Sequence, residues 1–228
     1  MSAGLLLVGA SGLAREVIAA GIAGVTGILD DNHQLHGTEI AGVPVVGAIR
    51  DAADRTEQLL VCIGPSLSRR AVVCRLRSAG VAEARFATFV ARSARVGTSS
   101  TVAPGSILLD GVVVTADATI GRHVVIMPNC TITHDDAIDD FATFAAGVAL
   151  GGSVHVGQAA YLGMNASVRQ GVSIGMRATV GMGAVVLEDV PREQTWAGVP
   201  ARPLRTAVQS SSHTARVAGL ARALGERT

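Results

Sequence analysis

The chain has 228 residues, enough for one large domain or two modest ones. All nineteen basic residues are arginine, which excludes a lysine-based P-loop or Schiff-base mechanism. Eighteen acidic residues bring the net charge to +1, a balance that argues against a nucleic-acid footprint. Cys62, Cys74 and Cys130 form no CxxC pair and leave an odd count, the pattern of reduced thiols in a cytoplasmic protein. No basic stretch precedes the first apolar run, which argues against a signal peptide. The long uncharged stretch from Phe141 to Val168 contains His155, Gln158, Asn165 and several glycines, so it does not read as a membrane span.

In chain order, Leu5 to Val8 reads as a strand ending at Gly9-Ala10-Ser11-Gly12, and Leu13 to Ile22 as a helix. Val25 to Leu29 is a second strand closed by Asp30-Asp31, Val43 to Val46 a third, and Gly47 to Arg55 a helix. Leu59 to Ile63 is a fourth strand, closed by Gly64-Pro65, and Ser68 to Ala79 a helix with three or four arginines on its outer face. Strands alternating with helices predict a small parallel α/β sheet. Its first glycine turn opens a helix, where backbone N–H groups and the helix dipole favour a phosphate. The motif G-x-G-x-x-G is not met, because Ser11 and Ala14 stand at its second and third glycines. The stretch therefore reads either as a mononucleotide site, with Asp30 or Asp31 on a ribose hydroxyl, or as a tight turn and a solvated acidic loop.

Beyond Arg85 to Phe89 a different rhythm takes over. Every sixth position from Val90 to Val186 is large and apolar, seventeen in succession, and two residues before each stands a small or β-branched one. Neither a helix nor a simple strand has this period. A hexapeptide β-helix does: three hexads make one eighteen-residue coil, and the large column points into a stacked core. The seventeen hexads predict between five and six coils without an inserted loop. Proline and glycine end the repeat after Val186, and the polar tail from Arg205 turns mildly helical over Ala215 to Leu224.

Thr133-His134-Asp135-Asp136 breaks the repeat, since Asp136 puts a charge in the small column. Such breaks often mark function, and an imidazole beside carboxylates suits a general base. The competing reading is a solvated His-Asp turn. His123 and His155 fall at turn positions, His33 and His36 in a loop, and His213 in the tail. Their spacing does not match an eighteen-residue coil, so no metal site is expected. Cys130 falls in the small inward column and reads as core filler.

The chain resembles the sialic acid O-acetyltransferase and nucleotide-amino-sugar N-acetyltransferase family of left-handed β-helix acyltransferases. The resemblance rests on Val8 to Gly12, Leu29-Asp30-Asp31, Ile63-Gly64 with Arg69, Thr133-His134-Asp135, Gly147 and Gly152. It continues through Leu162-Gly163, Ile174-Gly175, Val180 to Ala184 and Gly198 to Arg202. It implies a Rossmann-like nucleotide- and substrate-binding domain over residues 1–84, a left-handed parallel β-helix acyltransferase domain over 85–204, and a tail over 205–228 without an assigned role. It further implies a cytoplasmic homotrimer with acetyl-CoA in the groove between subunits, a sugar or nucleotide-sugar substrate, and no nucleic acid, membrane or metal.

By match to the family motif, His134 deprotonates the acceptor, Asp135 orients His134, and the Gly152 N–H stabilises the oxyanion. Ser11, Gly12, Leu13, Asp30, Asp31, Gly64 and Arg69 match substrate positions. Thr143, Gly152, Met164 and Met182 match coenzyme positions. Two departures stand out: Met127 where many relatives carry asparagine, and Thr143 where many carry histidine. The leading expectation is N-acetylation of the 4-amino group of a nucleotide-linked sugar. The alternatives are O-acetylation of a sialic acid or related sugar, a zinc hydratase on the same solenoid, and a non-catalytic trimeric nucleotide-binding relative.

Overall fold

The computed structural model describes residues 4–204; His213, the helical reading over 215–224 and the rest of the tail lie outside the described residues. The first unit is a five-stranded sheet of β1 (Leu5–Val8), β2 (Val25–Leu29), β3 (Glu39–Ile40), β4 (Val43–Gly47) and β5 (Gln58–Val61), in the order β3-β4-β2-β1-β5. Its pairings are parallel except for the β3–β4 hairpin. That edge strand is missing from the sequence reading. It forms because Ala41 and Gly42 both take positive φ (50° and 78°), the geometry of a two-residue hairpin turn.

Helix α1 (Gly12–Ala19) starts at Ser11, whose hydroxyl accepts the Leu13 N–H, and stops before Gly21 at φ 83°, short of the predicted Ile22. The predicted helix over 47–55 is a 3₁₀ turn, Ile49–Asp54, and helix α2 is Ser66–Ser78. Alternation along β1 sends Leu5 and Leu7 into a core with Leu13, Ala14 and Val17 of α1. Leu6 and Val8 enter another core with Val73 and Leu76 of α2. Both sheet faces are thus covered, which explains the unbroken apolar runs.

The second unit is a three-sided solenoid of seventeen two-residue strands from Phe89–Val90 to Val185–Val186, one per predicted hexad. Each strand pairs in parallel with the one a coil away, as in Thr119↔Ala137 and Val125↔Thr143. The large column from Leu108 to Val186 is buried throughout. Val90, expected to point inward with the others, is 41% exposed because the first rung has no coil beneath it; its neighbour Phe89 is buried instead. Trp196, on strand Thr195–Ala197, covers the last coil.

Polar residues of the small column complete the ladder. Ser100 and Ser106 hydroxyls accept the N–H of Ala118 and Val124, each at 3.0 Å and one coil on. Asp136 does the same job with a charge: Oδ1 accepts from Val154 N at 2.8 Å and Oδ2 from Thr133 N at 2.7 Å. Burial pushes its pKa up to about 6 against the pull of those two N–H groups. The break in the column is therefore a structural bond between coils, not a catalytic carboxylate.

One face of the solenoid carries the first unit. Its outward residues Phe89, Ile107 and Val125 are apolar and buried in the core shared with α1. On the other two faces such positions are more often small or polar, as at Thr101, Thr119, Thr131, Ser167 and Ser173. Arg69 joins the units. It was expected on the outer face of its helix as a substrate contact, but it is 0% exposed. Its Nε donates to His123 O (2.8 Å), Nη1 to Ile63 O and Gly64 O (2.7 and 2.6 Å), and Nη2 to Phe141 O, Ala142 O and Thr143 Oγ1 (2.9, 3.1 and 2.9 Å). Five N–H groups thus find protein acceptors, which offsets the cost of burying the charge and leaves none for a substrate.

Arg69→Ala strands these acceptors and opens a cavity between the units. Urea denaturation should show a loss of about 3–5 kcal/mol, with Arg69→Lys recovering only part because an ammonium has three donors where guanidinium has five.

Candidate active site

The turns between faces repeat every coil, and one of them places His134, Gly152 and Gln170 in a column, on the rungs paired Thr131↔Ala149 and Ala149↔Ser167. The His134 backbone is clamped on both sides: Asp135 N donates to Ala116 O (3.1 Å), and His134 O accepts from Ser153 N (2.9 Å). Asp135 takes a left-handed φ of 61°, a conformation aspartate tolerates, and this turns its carboxylate back onto the ring. The His134 Nδ1–Asp135 Oδ2 distance is 2.8 Å. An ionised carboxylate only accepts, so Nδ1 carries the hydrogen and Nε2 keeps its lone pair.

The imidazole is 65% exposed and free to meet a reactant. The Asp135 hydrogen bond raises its pKa above the ordinary histidine value against a small opposing effect of burial, helped by the charges of Asp135, Asp136 and Asp117. The ring lies against Gly152, where any Cβ would overlap Cε1 and Nε2. The Gly152 N–H donates to no backbone acceptor among the described residues. His134, Gly152, Ser153, Gln170 and Gly171 line a hollow of about 320 Å³. The structure thus brings His134, the Asp135 carboxylate and the Gly152 N–H together. Ser153, Gln170 and Gly171 were missed, although adding eighteen and thirty-six to His134 reaches the right rungs.

The residues expected to hold substrate lie elsewhere. Asp30 closes the first turn, Oδ2 accepting from Ala10 N (2.7 Å) and Oδ1 from Asn32 N (2.8 Å). Ser11 also donates to Cys62 O at 2.7 Å. Gly12 is exposed at the start of α1. Leu13 is a correction: its side chain is core and its N–H is taken by Ser11, so neither is available to a ligand. Asp31 accepts from Ile49 N (3.0 Å) and from Arg75 Nη2 (2.6 Å). Burial raises its pKa, but the Arg75 and Ile49 hydrogen bonds and the charges of Arg75 and Arg50 outweigh that and leave it below the ordinary value. Asp31, His33, Ala48, Arg50 and Arg75 line a hollow of 320 Å³ with two cations that sequence reasoning missed.

Gly64 and Thr143 belong to a third cavity, of 540 Å³, where α2 meets the solenoid; Ser66, Leu67, Met127 and Tyr161 also line it. Thr143 is almost buried, its Oγ1 accepting from Arg69 and sharing a hydrogen bond with Ser66 Oγ at 2.8 Å. Met164 and Met182 are exposed (49% and 71%) on a different corner from His134. His155, expected in a turn, lies on strand His155–Val156 with Nε2 3.2 Å from Asp139. Among the described residues no three His, Cys, Asp or Glu side chains converge on a metal position, and no helix is long and apolar enough to cross a membrane.

The first unit sits on the face built from strands such as Ile107–Leu108 and Val125–Ile126. His134 stands at the corner joining the other two faces, between strands Thr131–Ile132 and Ala137–Ile138. Within one chain His134 and the first unit therefore face opposite ways.

No protein-family model matches the sequence, and no curated protein does. Solved structures match over nearly the whole chain. Perosamine N-acetyltransferase from Caulobacter crescentus, a histidine-to-asparagine variant holding CoA and GDP-perosamine, has a TM-score of 0.81 and 30% identity over 89% of this chain and 97% of that one. The acetyltransferase domain of PglB from Neisseria gonorrhoeae, in complex with acetyl coenzyme A, gives 0.81 and 27% over 90% of this chain and 100% of that one. WeeI from Acinetobacter baumannii gives 0.79 and 28% over 88% and 99%. With this fold, this identity and this coverage, the chain belongs to the nucleotide-amino-sugar N-acetyltransferases of the left-handed β-helix, hexapeptide-repeat acyltransferase family.

Proposed function

We propose that the chain transfers an acetyl group from acetyl-CoA to the 4-amino group of a nucleotide-linked amino sugar. The observation that carries this reading is the His134 column: a base with Nε2 free, an orienting carboxylate and an unused N–H one coil on. Acetyl-CoA supplies an activated thioester. His134 Nε2 takes the proton from the amine as the nitrogen attacks the thioester carbonyl, while Asp135 holds the ring and favours the imidazolium. The Gly152 N–H stabilises the oxyanion of the tetrahedral intermediate. When the C–S bond breaks, His134 returns its proton to the leaving thiolate, which balances the step.

Two further readings complete the proposal. Residues 1–84 act as a Rossmann-like nucleotide-binding domain on the acyltransferase domain of residues 85–204. Its Asp31, Arg50 and Arg75 hollow, beside the Ser11 and Gly12 end of α1, offers cations and backbone N–H groups to a nucleotide diphosphate. Because His134 and this unit face opposite ways within one chain, the working assembly is a homotrimer in which a neighbour's first unit reaches each His134 hollow. Exposed Met164 and Met182 contribute apolar surface to the same seam for the coenzyme. The three free cysteines agree with a reducing, cytoplasmic setting.

Thiol release from acetyl-CoA should appear with one of the GDP-, UDP- or dTDP-linked 4-amino sugars and not with sialic acid; release with sialic acid alone would replace the amine by a hydroxyl acceptor. His134→Ala should lower kcat by about 10²–10⁴-fold, and unchanged turnover would remove it from the mechanism.

The base works when neutral, so the rate should rise with pH through a pKa above the ordinary histidine value. Asp135→Asn leaves a neutral acceptor in place of the carboxylate whose charge-assisted hydrogen bond raises this pKa, and should move the rise to lower pH with a lower plateau. An unmoved pH profile would count against the orienting role.

Mixing His134→Ala chains with Arg50→Ala/Arg75→Ala chains should restore activity in mixed assemblies if the site spans two subunits. Absence of rescue, or a monomer by sedimentation, would refute the shared site.

A further inference from the structure

The hollow beside His134 is lined by its own coil and the two that follow. On the side of earlier coils the same column continues with Ala116, and Asp117 stands at the turn, a carboxylate that repels phosphates. On the other side the floor is made by Gly152 and Gly171, with no side chain, and the far wall by Gln170. Gly171 takes φ 72° and donates its N–H to Gly152 O at 2.9 Å, so floor and wall are held in one coil-to-coil ladder. A Cβ on Gly151 would come within 2.6 Å of Gln170 N, which keeps the backbone under the wall close-fitting. Gln170 itself is exposed, and Arg169 is exposed beside it.

We propose that Gln170 is a coenzyme-binding residue whose carboxamide hydrogen-bonds the amide nearest the thioester in the pantetheine arm of acetyl-CoA. The assignment rests on the proposed acetyl transfer at His134. Successive coils lie about 4.8 Å apart, the spacing of neighbouring strands. In the coenzyme, four bonds run from the acyl carbon through sulfur and two methylenes to the amide nitrogen, an extended span of about 5 Å, close to that spacing. With the acyl oxygen at the Gly152 N–H, this amide arrives one coil on, at Gln170. A carboxamide has both a donor and an acceptor, the complement of an amide, whereas a charged side chain would match only one of the two. The bare glycine floor leaves room for the arm.

Calorimetric titration of the full chain tests this with two probes. CoA contains the amide; 3′-phosphoadenosine 5′-diphosphate lacks the whole arm. Gln170→Ala should weaken CoA binding about three- to tenfold, the loss of one or two neutral hydrogen bonds. The melting temperature and the affinity for 3′-phosphoadenosine 5′-diphosphate should stay as in the wild type. Gln170→Asn, with the same group on a shorter stem, should recover part of the loss. Unchanged CoA affinity in Gln170→Ala, or an equal loss for both probes, would overturn the assignment while leaving His134 untouched. A wild-type chain that binds neither probe would overturn the acetyl-transfer reading and this assignment together.

Discussion

Coil-to-coil hydrogen bonding is the constraint on which the molecule depends. Each two-residue strand donates to the coil after it, as from Thr119 N to Asp136 O at 2.8 Å and from Val125 N to Ala142 O at 3.0 Å. The coils therefore stay in an eighteen-residue register from end to end. A buried N–H without an acceptor costs about 1–3 kcal/mol, so the interior recruits Ser100, Ser106 and Asp136 where the backbone leaves one open. The register also makes the site. It stacks a turn residue of one coil directly on that of the next, and so brings His134 over Gly152 with Gln170 beyond.

The second constraint is Arg69. A guanidinium with five satisfied N–H groups behaves as a fixed peg, because withdrawing it would strand carbonyls from both units at once. Around it the solenoid corner is filled by His123, stacked on Phe141 at 5.2 Å and edge-on to Phe86 at 4.8 Å. Burial, then the charges of Arg77, Arg69 and Arg122, push the His123 pKa down to about 3, so it packs as a neutral ring. Two turn histidines of one solenoid thus have opposite fates. Cover and neighbouring cations silence His123; exposure and a carboxylate neighbour make His134 basic.

The peg also decides how the chemistry is laid out. It holds the first unit over one face, so the hollow with Arg50 and Arg75 stays far from the His134 of its own chain. Neither half moves towards the other without breaking the Arg69 bonds. Met127 and Thr143, the departures from the family pattern, gather at the cavity beside the peg, and Thr143 is held there by Ser66 and Arg69.

The solenoid, its seventeen rungs and the His134–Asp135–Gly152 column were legible in the chain, because a six-residue period and eighteen-residue sums are local arithmetic. Strands β1, β2, β4 and β5 were legible as apolar runs, whereas the Glu39–Ile40 hairpin was not, its turn being Ala-Gly without the usual asparagine or aspartate. The inward course of Arg69, the structural use of Asp136 and the exposure of Val90 were decided by tertiary structure. Each depends on what lies across from the residue: six acceptors gathered from both units, an open N–H one coil on, or no coil at all. By itself the sequence determined periodicity, core column and the pairing of His134 with Asp135. Only the folded chain decided which polar side chains are bonded inward and which face solvent, because burial and hydrogen-bond supply are properties of the space around a residue.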